Sequence, residues 1–181
     1  MKDQFTISVF TENHIGILNR ITVIFTRRHI NIESLTVSET EVHGISRYTI
    51  VVTEERDRVK KVVKQLERQV EIFEAYYHTS DEVIYQEIAL YKLPIKAIID
   101  GAKIESILRL HNARILTVEE EFLVIEKSGH KEETQALLEK LEPFGIMEFV
   151  RSGRVAIIKP MWKFNEGLHE MEKRQEEVLE E

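Results

Sequence analysis

The order of hydrophobic periodicities constrains this chain more than any other feature. Phe5 to Phe10 is a β-rich apolar run, and from Ile17 the apolar residues Ile17, Leu18, Ile21, Ile24 and Phe25 fall at helical spacing. Ile30 to Val37 and Ile45 to Thr53 read as strands, separated by a turn at His43-Gly44. Val59, Val62, Val63, Leu66 and Val70 mark a second amphipathic helix, and Glu71 to His78 a fourth strand. The same order then recurs. Gln86 to Leu93 is a strand, and a helix ends near His111. Ala113 to Val118 and Phe122 to Lys127 are strands around the acidic turn Glu119-Glu120-Glu121. Leu137, Leu138 and Leu141 lie on a helix stopped by Pro143 and Gly145, and Ile146 to Val150 closes the unit. QLERQVEIFE and KLEPFGIMEF resemble each other where the second helix of each unit passes into its last strand.

An α+β fold of two tandem ferredoxin-like βαββαβ domains is the economical reading. The expected boundaries are 1–79 and 80–160, with a charged helical or frayed tail over 161–181. Ser152-Gly153 reads as a hairpin turn into an added strand, Val155 to Ile158. Ile30 and Ile32 share one parity while Leu35 and Val37 share the other. A strand with one buried face does not switch parity, so a bulge near Glu33-Ser34 or burial on both faces is expected.

Chemistry is constrained chiefly by exclusion. No cysteine is present, which removes disulfides, thiolate metal sites and cysteine nucleophiles. The formal charge of −7 and the lack of a basic cluster argue against nucleic acid and against a polybasic membrane surface. No run of 18 apolar residues and no signal-peptide core is found, so a cytoplasmic protein is expected. The seven histidines show no metal-ligand spacing, and no nucleophile elbow, P-loop or G-x-G-x-x-G occurs. The sequence makes no positive case for catalysis.

Gly16 is the exception to this plainness. It stands where a strand ends and a helix begins, and two readings remain open. It can shape a tight turn through positive φ or close helix–strand packing. Or the missing Cβ lets a small molecule reach the unsatisfied N–H groups of the helix start, which attract a carboxylate. Asn13 has both donor and acceptor atoms to cap the helix or hold such a ligand. Ile15 and Ile17 are apolar and suit a small zwitterion with a hydrocarbon side chain.

The stretch ENHIGILNRITVIFTRRHINIESLTV resembles the N-terminal ACT domain of the regulatory small subunits of acetohydroxyacid synthase, also called acetolactate synthase. The Gly-x-Leu-x-Arg segment and Asn31-Ile32-Glu33-Ser34-Leu35 carry the likeness, and Ser46 to Ile50 matches the third strand. QEIALYKL and VRSGRVAIIK resemble the start and end of the family's C-terminal domain. The resemblance implies a non-catalytic subunit that carries no cofactor. It would bind a catalytic large subunit holding thiamine diphosphate, Mg²⁺ and FAD, raise its activity, and confer feedback inhibition by valine or another branched-chain amino acid. It further implies a homodimer with L-valine held between copies, Asn13, Ile15, Gly16 and Ile17 on one side and Asn31 and Ile32 on the other. The sequence departs from the family at His29, where glycine is usual, in the tail after Pro160, and over residues 95–112. A stand-alone amino-acid-sensing ACT protein that controls another enzyme or a transcription factor is the rival expectation.

Overall fold

The computed structural model describes residues 1–98 and 101–159. The tail expected over 161–181 lies outside them. Two compact units emerge. Of the described residues, one comprises Met1–Ile84 with Ala156–Lys159, and the other Tyr85–Val155.

The first unit holds β1 (Asp3–Glu12), α1 (Ile17–Arg27), β2 (Ser34–Glu39), β3 (Ile45–Glu54), α2 (Arg56–Leu66) and β4 (Ile72–Thr79). Its antiparallel sheet has the order β2-β3-β1-β4, with β2 and β4 at the edges. This is the ferredoxin-like βαββαβ arrangement. The two helices cover one face. Ile17, Ile21, Ile24 and Phe25 of α1 and Val59, Val62, Val63 and Leu66 of α2 pack on Phe5, Ile7, Val9, Tyr48, Ile50 and Val52 of the central strands. Helical spacing places each apolar set on one side of its helix, and strand alternation aims the three residues of each strand at it. The other face of the central strands is buried as well: Thr6, Ser8, Phe10, Thr49 and Val51 are almost fully enclosed. There the Arg47 guanidinium donates to the Ala156 carbonyl at 2.6 Å and lies over the Phe10 ring.

The second unit repeats the plan with β5 (Val83–Pro94), α3 (Gly101–Leu110), β6 (Arg114–Val118), β7 (Phe122–Gly129), α4 (Lys131–Leu141) and β8 (Glu148–Arg151), and β9 (Val155–Ile158) follows, of which all but Val155 counts with the first unit. The sheet order is β6-β7-β5-β8, and β9 also pairs with β5. Its core joins Ala89, Tyr91, Leu93, Leu123 and Ile125 to Ile104, Leu108, Leu137 and Leu141 of the helices. Tyr91 is fully buried and donates its hydroxyl to the Thr134 carbonyl at 2.6 Å. Among the described residues no helix is long and apolar enough to cross a membrane.

Three local expectations are corrected. The third apolar run is not a strand over its whole length. β2 starts at Ser34, Ile30 to Glu33 form a connection, and the β2–β3 register runs without a bulge. The parity switch therefore marks the join of connection and strand, where Ile30 is buried as the chain comes off α1. Val70 lies beyond the end of α2, in the turn before β4, and is 91% exposed. Ser152-Gly153 is not a hairpin. Ser152 donates its N–H to the Ile88 carbonyl and accepts the Ile88 N–H on its hydroxyl, so the chain stays on β5 and β8 and β9 follow along it.

α1 ends in a hydrogen-bonded cap that explains the departure at His29. The Ile30 N–H bonds to the Phe25 carbonyl at 3.1 Å, and the His29 N–H to the Thr26 carbonyl at 3.0 Å. This is the Schellman pattern, whose pivot residue is left-handed and usually glycine. His29 takes that place with φ 52°. The first helix of the second unit ends the same way, with Asn112 at φ 50° and the Ala113 N–H bonded to the Leu108 carbonyl.

Candidate effector site

The connection from β1 to α1 is built to expose backbone. β1 is anchored to its end, since the Asn13 N–H donates to the Gly44 carbonyl at 2.7 Å. The chain then turns through His14 and Ile15 to Gly16, which has φ 95° and ψ −12°. A left-handed residue at this corner needs to be glycine or to accept strain. A Cβ built on Gly16 would meet nothing within 4 Å, so the space beside it is open. The structure thus shows the positive φ of a tight turn at Gly16, and no packing atom within 4 Å of the side-chain volume it gives up.

The helix start is electrostatically bare. No side chain caps α1, and its first turn carries no acidic residue. The contrast is α4, where the Glu133 carboxylate folds back to accept the His130 N–H at 2.7 Å and is held below the ordinary carboxylate range by that bond. At α1 the Ile17 N–H has only a long 3.5 Å contact to the His14 carbonyl, and the first helical bond runs from the Arg20 N–H to the Gly16 carbonyl. The first N–H groups of a helix lack intrahelical partners and carry its positive dipole end. An unblocked start of this kind favours an anion, a carboxylate included.

The residues picked out by sequence divide into two groups. Asn13, Ile15, Gly16 and Ile17 lie on the β1–α1 connection. Asn13 is exposed, and Ile15 is 96% exposed. Ile17 is different: its side chain is 2% exposed and belongs to the core, so only its backbone can face a ligand. Asn31 and Ile32 lie on the connection before β2. Asn31 is exposed, and Ile32 is half-buried against the core. The chain does not bring the two groups together. Glu12 is level with Ile45 at one end of β3, and Ser34 is level with Val51 toward the other.

One neighbour was misplaced by its periodicity. Leu18 falls within the apolar spacing of α1, yet it is 45% exposed and outside the core. It stands on the first turn, two residues past Gly16, as apolar surface beside the bare helix start. Periodicity alone reads every apolar residue of a helix as core. The signal available was width, because Ile17, Ile21, Ile24 and Phe25 already fill the buried stripe.

Comparison with known proteins agrees with the two-unit plan. Residues 7–74 match the family model of the AHAS small subunit-like ACT domain, and residues 86–160 match that of the small subunit of acetolactate synthase. The acetolactate synthase small subunit of Bacillus subtilis is 36% identical over 160 residues, covering 88% of this chain and 91% of that protein. The one from Mycolicibacterium smegmatis is 38% identical over 152 residues, covering 84% and 89%. The crystal structure of the acetolactate synthase small subunit from Thermotoga maritima superposes with a TM-score of 0.78 at 26% identity, over 88% of this chain and 98% of that one.

Proposed function

The chain belongs to the family of acetolactate synthase small subunits, and from that premise we propose that it is the regulatory subunit of this enzyme, made sensitive to L-valine by the Asn13–Gly16 connection. It raises the activity of a separate catalytic subunit that carries thiamine diphosphate, Mg²⁺ and FAD, and it performs no chemistry itself. A branched-chain amino acid then lowers that activity by binding here. The assembly works in the cytoplasm, in branched-chain amino acid biosynthesis.

The observation that carries the reading is Gly16 itself, left-handed and open to solvent in front of a helix start that has neither cap nor acid. The effector carboxylate takes the N–H groups there. The amide oxygen of Asn13 accepts from its ammonium, and its hydrocarbon side chain lies against Ile15 and Leu18.

The second half of the site comes from a second copy. β2 is an edge strand, and edge strands pair readily with a like strand. A two-fold antiparallel pairing of β2 with β2 puts the start of one strand beside the end of the other. Glu39, at the end of β2, is level with Ser46 of β3, and Ser46 with Thr11 of β1. The pairing therefore carries Asn31 and Ile32 of the second copy to the end of the sheet that holds Asn13 and Gly16. The homodimer thus completes the site.

The test is reconstitution. Acetohydroxyacid formation by the catalytic subunit is measured with and without this chain, then across titrations of valine, leucine and isoleucine. Activity should rise on addition of the chain and fall with valine. A chain that leaves the catalytic subunit unchanged would favour the stand-alone sensor, and turnover by the isolated chain would contradict a non-catalytic subunit.

A further inference from the structure

The backbone bond that holds Asn13 ends on a turn braced by a carboxylate. The Asn13 N–H donates to the Gly44 carbonyl at 2.7 Å. Gly44 closes the β2–β3 hairpin in a left-handed conformation, with φ 81°. Its own N–H donates to the Glu39 carboxylate Oε1 at 2.9 Å. Glu39 is the last residue of β2. The hairpin is closed below this point, where the Thr40 N–H meets the Ile45 carbonyl at 2.8 Å and the Thr40 hydroxyl accepts the Val42 N–H at 3.2 Å. On the far side of Gly44 the Ile45 N–H reaches the Val42 carbonyl at 3.2 Å. A glycine has the widest choice of φ and ψ, so its carbonyl is aimed only as well as the bonds around it hold. The shorter of the two that flank Gly44 ends on an ionised acceptor, which strengthens it.

We propose that Glu39 is a positioning residue of the effector site. Its carboxylate fixes Gly44, the Gly44 carbonyl fixes the point where Asn13 leaves β1, and Asn13 meets the ligand. The relay also ties β2, the edge used by the proposed homodimer, to the β1–α1 connection that takes the effector. The same carboxylate oxygen lies 3.0 Å from His43 Nδ1, but the His43 side chain is fully exposed. A pair so exposed contributes little, and the backbone bond carries the role. The inference rests on the reading of Asn13 as an effector ligand and adds the residue that sets its position.

The experiment is isothermal titration of the full chain with valine, with circular dichroism showing that each variant is folded. Glu39→Ala should bind valine on the order of tenfold more weakly. Glu39→Gln keeps an amide oxygen that can accept the Gly44 N–H, and should stay within about threefold of wild type. His43→Ala should bind as wild type does. A residue that acts through Asn13 is coupled to it, so in the double variant Glu39→Ala with Asn13→Ala the two losses should not multiply. A folded Glu39→Ala chain with wild-type affinity would overturn this inference alone, provided that Asn13→Ala weakens binding. Losses that multiply in the double variant, or a loss in His43→Ala equal to that in Glu39→Ala, would do the same. A wild type that binds no valine, or an Asn13→Ala variant that binds it unchanged, would overturn the reading of the effector site, and this inference with it.

Discussion

Asn13 and Asn31 stand at opposite ends of the same sheet. Asn13 is tied to Gly44 where β1 leaves the sheet, while Asn31 lies two residues before Glu33, whose N–H bonds to the Val51 carbonyl. Val51 is level with Thr6, seven residues before Asn13 along β1. At ~3.3 Å per strand residue the two asparagines are about 20 Å or more apart. No single amino acid spans that distance, so a ligand touching both has two chains around it.

The first prediction follows from this separation. Asn13→Ala and Asn31→Ala each remove a hydrogen bond to a charged group, worth ~1.5–3 kcal/mol. Each homodimer should bind valine roughly 10- to 150-fold more weakly. Mixing the two variants and allowing exchange should restore a fraction of full-affinity sites, because each mixed dimer holds one site with both asparagines. Isothermal titration of the mixture checks this. A mixture that binds no better than its components would place both asparagines in one chain's site or in none.

Assembly should respond to ligand. A site made by two chains binds only the dimer, so valine at a hundred times its dissociation constant should stabilise the dimer by about 2.7 kcal/mol for each of its two sites. Sedimentation equilibrium with and without valine measures the shift. One-to-one binding by a strict monomer would contradict a shared site.

His29 gives a prediction about stability. Its φ of 52° is a conformation that costs a residue with a Cβ about 1–2 kcal/mol. Glycine removes that strain but adds freedom to the unfolded chain, worth roughly 0.4–1 kcal/mol. His29→Gly should therefore stabilise the chain by up to about 1 kcal/mol, visible as a higher urea midpoint. A marked loss would mean that the imidazole makes a contact that outweighs the strain.

Tyr91 predicts a pH dependence. Burial raises its phenol from 10.0 to about 12. The folded state therefore holds its proton more tightly than the unfolded chain does. Its contribution to stability is complete below pH 10 and is lost as the pH rises through about 12. Tyr91→Phe leaves the Thr134 carbonyl without its 2.6 Å donor, at a cost of roughly 1–3 kcal/mol. The variant should also show a weaker loss of stability between pH 10 and 12 in urea titrations. An identical pH profile in the variant would exclude Tyr91 as the titrating group.

Much of this was legible in the sequence because its signals are local. The span Ile17–Arg27 of α1 follows from spacing alone, whereas the sequence left the task of Gly16 open between turn geometry, close packing and ligand contact, and the structure supplied its positive φ. The repeated βαββαβ order likewise survived, because each apolar set had one face to fill. What local pattern could not show was partnership. Ile30 looked like strand but is buried by the cap of α1. Val155 looked like the return arm of a hairpin, yet the Ser152 hydroxyl keeps the chain on β5. The burial of Thr6 and Thr49 is invisible to a rule that counts threonine as surface. The distance between Asn13 and Asn31 is a property of sheet register, which no run of residues encodes by itself.

The central claim is that the empty volume at Gly16 belongs to a bound carboxylate, and charge at that position tests it most directly. Gly16→Asp and Gly16→Asn impose the same shape and similar backbone strain, and only Asp adds a charge. Two like charges ~4 Å apart repel by up to about 4 kcal/mol at an effective dielectric of ~20. The measurement is acetohydroxyacid formation by the reconstituted complex across a valine titration for wild type and both variants, with circular dichroism showing that each is folded. The account predicts full activation by all three, inhibition by Gly16→Asp shifted a hundredfold or more, and a smaller shift for Gly16→Asn. A folded Gly16→Asp chain with the wild-type inhibition curve would contradict it, and would leave this glycine as a turn and nothing more.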